Sequence, residues 1–134
     1  MSRILTAEEF VMLVLAKIKL KANRDNFVLD SGVIDQQFEA AYNWLSSRVD
    51  KLDVAPNFTF GRDPLYGVTS TFRDALLSLR ERRMIQPVPT SRAYRISLSK
   101  ELADDLMKDG VLASADLDDL VSEVFPQAAA GSAS

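Results

Sequence analysis

Apolar positions recur along this chain mostly at three- and four-residue spacing, the period of helices with one buried face. Thr6-Ala7-Glu8-Glu9 is a capping box, with Thr6 at the N-cap and Glu9 three residues on, and it opens a helix over 7–20. Phe10, Leu13, Val14 and Ile18 form its buried stripe. Lys17, Lys19 and Lys21 fall in its last turn, where they complement the helix dipole. The alternation Lys17-Ile18-Lys19-Leu20-Lys21 also suits a strand, which leaves the helix end open. A connection follows over 23–30, with an extended piece at 26–29. Ser31-Gly32 introduces a second helix over 33–52, where Ile34, Phe38, Ala41, Leu45, Val49 and Leu52 keep helical spacing. Tyr42 and Trp44 lie beside that stripe, and packing is their expected task.

Residues 53–67 hold two prolines and two glycines and read as a loop, with 57–60 as a candidate strand. Thr69 and Ser70 are N-cap candidates for a third helix over 70–83. Its core stripe is Phe72, Ala75, Leu76 and Leu79, which leaves Asp74, Ser78 and Glu81 outside. Residues 84–88 and 93–98 read as two short strands around Pro89-Thr90-Ser91, with Tyr94, Ile96 and Leu98 on one face. Pro87 and Pro89 suit an edge strand, since neither can donate to a ladder. Ser99 caps a helix over 100–108 that Gly110 ends, and Ser114 caps one over 115–124 that Pro126 stops. The Ala/Gly/Ser-rich end, 126–134, is expected to be a disordered tail. The expectation is one mainly α domain with a small β-hairpin, an α+β arrangement over 1–125.

Composition narrows the chemistry. The 134 residues are 47% apolar and 26% charged, which suits a globular core. There is no cysteine and no histidine, so thiolate nucleophiles, zinc–thiolate sites and imidazole bases are excluded. The net charge of −3 conceals an asymmetry. Residues 1–100 carry 15 basic and 11 acidic side chains, whereas 101–134 carry Lys108 against eight acids. A basic body with an acidic end suits a nucleic-acid surface with an acidic tail, or simply solvated helix faces. The apolar run 10–20 is too short and too charged to span a bilayer, and no targeting segment precedes it. No membrane association and a cytoplasmic location are expected.

The order helix, helix, helix, hairpin, helix carries the clearest signal. The segment from Gly67 through Phe72, Ala75, Leu76, Leu79 and Met84 to Ile85 resembles the third helix of a winged helix–turn–helix domain. The resemblance covers about residues 7–100 and is one of pattern. It implies a recognition helix at 70–83 and a wing at 85–98, with Arg92 near the wing tip. Such a helix enters the major groove, where Ser70, Thr71 and Ser78 would meet bases or phosphates. Arg73 and Arg80 on one flank and Arg82 on the other would hold the backbone, with Arg92 and Arg95 adding charge from the wing. Asp74 and Glu81 on the same face would repel phosphates. Two functions therefore stay open: double-stranded DNA binding, as in transcription regulation, and a protein-interaction or dimerisation module without nucleic acid. The apolar stripes of the first and last helices suggest a homodimer through them.

Other chemistry is thin. From Asp105 to Asp116 runs an EF-hand-like rhythm, with Asp109, Gly110 and Leu112 in register. Met107 and Ala113 leave two ligand positions empty, and Asp116 replaces the bidentate Glu, so no metal is expected. Glu8-Glu9, Asp104-Asp105 and Asp118-Asp119 are adjacent pairs that diverge on a helix. With no phosphate loop and no nucleophile elbow, the expectation is a non-catalytic protein without cofactor.

Overall fold

The computed structural model describes residues 3–22, 28–58, 62–63, 67–68, 70–88 and 93–125. Along the chain run β1 (Arg3–Leu5), α1 (Ala7–Ala22), β2 (Val28–Asp30), α2 (Ser31–Ser46) and the short α3 (Val49–Leu52). Then come β3 (Val54–Pro56), β4 (Arg62–Asp63), β5 (Gly67–Val68) and α4 (Ser70–Glu81). β6 (Ile85–Pro87) and β7 (Ala93–Ile96) form the hairpin, followed by α5 (Lys100–Asp109) and α6 (Ser114–Val124). The arrangement is mostly helical with small sheets, an α+β architecture.

α1 is the centre of the molecule. The sequence stripe of one face understates it, because Phe10, Val11, Leu13, Val14, Leu15, Ala16 and Ile18 are all fully buried. A helix apolar on every side must be covered on every side. Here α4, α5 and α6 do the covering. Leu117, Leu120 and Val121 of α6 and Ala103 of α5 are spent in the same core. These residues of the apolar stripes expected to join two copies are buried within the monomer.

The expected helix over 33–52 is broken in two. The Trp44 carbonyl accepts from Ser47 Oγ and Arg48 Nη1, each at 3.0 Å. The Arg48 amide bonds to the Leu45 carbonyl at 3.0 Å, three residues back. These local bonds compete with the helical ladder and end α2 at Ser46. Phe38 of α2 meets Phe72 and Phe125 at ring centroid distances of 5.1 and 5.3 Å, tying α2 to α4 and to the end of α6.

Within 53–67 the strand lies at Val54–Pro56, earlier than the expected 57–60. Asn57 and Phe58 are outside any strand, and 59–60 are outside the described residues. β3 pairs in parallel with β1, Ile4 opposite Ala55, a contact between chain regions with no local signal. β4 and β5 form a further antiparallel pair. The expected extended piece near 26–29 is β2, which joins the hairpin in an antiparallel sheet of order β2-β7-β6. β6, with Pro87, is an edge strand, as proline demands.

The expected third helix stops two residues early. Arg83 takes a left-handed conformation, φ 62°. The Arg83 amide bonds to the Arg80 carbonyl at 3.0 Å and the Met84 amide to the Leu79 carbonyl at 2.9 Å. This pair of bonds is a Schellman ending. It delivers the chain into β6. Ser99 caps α5 by accepting from the Leu102 amide at 3.1 Å, as expected. Ser114 is not a cap: the N-cap of α6 is Ala113, and Ser114 Oγ accepts from Lys17 Nζ at 3.0 Å. The tail 126–134 lies outside the described residues.

Candidate functional site: helix α4 and the hairpin

Most of the expected contact residues sit on α4 or just after it. Its core side is Phe72, Ala75 and Leu79, all buried. Leu76, expected in the core, is only half-buried. That rotates the buried arc, and Leu77 becomes the centre of the solvent face, 54% exposed. Adjacent leucines point about 100° apart on a helix, and here Leu76 packs partly against the core while Leu77 faces solvent.

Around Leu77 stand Arg73, Asp74, Arg80 and Glu81, all exposed, with Ser78 half-buried beside them. Ser70 and Thr71 occupy the first turn of α4. Arg82, in the turn after the helix, lies 3.1 Å from Glu8 Oε1 of α1. That oxygen is buried without a hydrogen-bond partner, so the contact is Coulombic and not an aligned hydrogen bond. Arg95 stands on β7 opposite Gln86 of β6 and donates from Nη2 to Oε1 at 2.7 Å. Arg92 lies outside the described residues. Of the expected cationic set, the fold brings Arg73 and Arg80 to one exposed flank. It commits Arg82 to Glu8 and Arg95 to its cross-strand neighbour.

The acidic C-terminal segment faces elsewhere. Asp118 of α6 accepts from Lys21 Nζ at 2.8 Å and lies 4.0 Å from Lys17 Nζ. The Lys21 hydrogen bond, helped by the charges of Lys21 and Lys17, holds the Asp118 carboxyl below its ordinary range. α6 thus answers the lysines of α1 and does not cover α4. Asp105 and Asp109 of the EF-hand-like run lie within α5. Among the described residues no cluster of acidic side chains is placed to hold a metal ion. No helix among them is long and apolar enough to cross a membrane.

A second concavity was not foreseen. Between α2 and α6 is an open cleft of about 500 Å³ lined by Gln36, Gln37, Asn43, Trp44, Arg48 and Glu123. Its floor is Trp44, with the Arg48 guanidinium 4.3 Å from the ring centroid. The broken end of α2 positions this pair, and that break had no signal in the apolar spacing.

Comparison with family models, curated proteins and solved structures finds no match to this chain.

Proposed function

We propose that the protein is a non-catalytic interaction module of the winged-helix kind, and that the solvent face of α4 contacts another protein. The winged-helix reading is supported by the passage from α4 through a tight left-handed turn into the β6–β7 hairpin. The observation that carries the choice of partner is Leu77. A large apolar side chain, 54% exposed, sits inside a ring of two arginines and two acids with no net charge. A groove-binding helix needs cations to neutralise phosphates, and Asp74 and Glu81 oppose that. A buried apolar centre with a charged rim is instead the anatomy of a protein interface.

A photo-reactive residue in place of Leu77 tests this in the native cell. Adducts to protein are expected at that position. Adducts to nucleic acid would overturn the reading.

DNA binding is the second reading, favoured by the exposed Arg80, Arg82 and Arg83 at the C-terminal end of α4. It requires binding to mixed-sequence duplex that falls with salt, at a log–log slope of about −0.9 per phosphate neutralised. Fluorescence anisotropy across a salt series measures that slope.

A further inference from the structure

We propose that the partner which fits the α4 face is a second copy of the same face, packed side by side in parallel about a two-fold axis that runs along the two helices. The proposal rests on the protein-contact reading of α4 and names its partner. It starts from where the charges fall around Leu77. At about 100° per residue, Arg73 and Arg80 lie roughly 40° and 60° to one side of Leu77. Glu81 and Asp74 lie roughly 40° and 60° to the other side. One flank of the face is therefore basic and the other acidic. Arg73 and Asp74 stand one turn before Leu77, and Arg80 and Glu81 one turn after it. All five side chains are exposed.

Such a face complements itself in one orientation only. When two copies pair in parallel, each basic flank lies against the other copy's acidic flank at the same height. Arg73 then meets the partner's Asp74, Arg80 meets the partner's Glu81, and Leu77 meets the partner's Leu77 at the centre. When they pair antiparallel, like flanks meet: Arg73 faces the partner's Arg80, and Asp74 faces the partner's Glu81. Flank charges select pairing direction in this way in helical zippers. The face is also one of few apolar opportunities left. Among the described residues the exposed large apolar side chains are Ile4 and Leu77, and only Leu77 has this charged frame.

The size of the contact sets its strength. α4 has 12 residues. A helix of that length presents about 18 Å of seam, which places the contact at the small, transient end of interfaces, under about 1,200 Å². Association is therefore concentration-dependent, and weakens as salt screens the flanks.

The test is charge reversal, read by sedimentation equilibrium of the intact chain at low salt. Wild type is expected to self-associate as concentration rises. Arg80→Glu alone and Glu81→Arg alone each turn two attractive pairs into two repulsive ones, and each is expected to weaken the dimer by about tenfold. Mixing the two variants in equal amounts is expected to restore association as a heterodimer, because each then carries the charge the other lacks. Both positions are exposed, so thermal melts should match wild type, which separates loss of pairing from loss of folding. A wild type that stays monomeric at the highest concentration overturns the pairing, as does a mixture that remains monomeric. Those results leave the protein-contact reading standing. That reading fails separately, if the photo-reactive residue at position 77 captures nucleic acid.

Discussion

α1 and α4 are neighbouring helices, one apolar on nearly every side and one amphipathic, and the fold treats them in opposite ways. α1 is surrounded by α4, α5 and α6, and its Lys17 and Lys21 are answered by α6, through Ser114 and Asp118. α4 is half-covered: Phe72, Ala75 and Leu79 hold it to the core, while Leu77 and four charges remain outside. The contacts of α1 are made within the chain, whereas one side of α4 is open to solvent. The contrast teaches that an apolar stripe in sequence does not announce its partner. The stripes of α1 and α6 looked suited to a second chain and serve the monomer. The exposed Leu77 stands instead on a helix side that is mostly polar.

The largest test of this contrast sets Leu13 against Leu77. Leu13 is fully buried, so Leu13→Ala should cost about 2–5 kcal/mol. Leu77→Ala should change stability by less than about 0.5 kcal/mol, as an exposed substitution. Urea unfolding of both variants measures the difference. Equal losses would mean that α4 is as enclosed as α1.

Next comes the joint between α1 and α5. A Cβ at Gly110 would stand 2.6 Å from the Leu106 carbonyl oxygen and 2.6 Å from a Leu13 methyl. The backbone at Gly110 is extended, φ −71°, so closeness and not torsion requires glycine. Gly110→Ala should therefore destabilise by about 1–3 kcal/mol, the cost of overpacking. A thermal melt unchanged from wild type would show that α5 can slide away from α1.

At the exit of α4, Arg83 holds a left-handed φ of 62° that glycine adopts without penalty. Arg83→Gly is expected to raise stability by up to about 1 kcal/mol, the relief being partly offset by the freer unfolded chain. The hairpin should keep its position behind α4. A lower melting temperature would mean that the arginine side chain contributes more than its backbone costs.

The smallest effect is electrostatic. Lys21 and Asp118 make a partly exposed pair, with 46% of the Asp118 side chain accessible, so Lys21→Ala should cost about 0.2–1 kcal/mol. The Lys21 hydrogen bond holds the Asp118 carboxyl of the folded protein below its ordinary value. A carboxyl lowered on folding stabilises the protein above its unfolded pKa, and that contribution is lost as pH falls through the folded value. The difference between wild type and Lys21→Ala should therefore be constant above about pH 5 and shrink in stronger acid. A difference that grows in acid would contradict the ion pair.

Much of the architecture is written locally. A helix is specified by spacing and end signals within a dozen residues, so α1, α4, α5 and α6 are legible from periodicity, from Thr6 and from Ser99. The hairpin is legible because Tyr94, Arg95 and Ile96 alternate beside a proline-marked edge. On the site, spacing placed Arg73 and Arg80 on one flank, and the structure agrees. It could not show that Arg82 would be drawn to Glu8, more than seventy residues away in the chain. The exposure of Leu77 was not legible, because the sequence shows two adjacent leucines and not which of them the core takes.

What the amino-acid order determined alone is α1, α4, α5, α6 and the hairpin, with the Thr6 and Ser99 caps, because those depend on backbone torsions and hydrogen bonds between near neighbours. Tertiary structure decided what is distant in the chain. It paired β1 with β3 in parallel, through backbone groups that every residue carries and no side-chain pattern marks. It also chose the outward side of α4, because the depth to which Leu76 sinks depends on the neighbours packed beneath it. That choice set Leu77 between the basic and the acidic residues on the exposed side of α4.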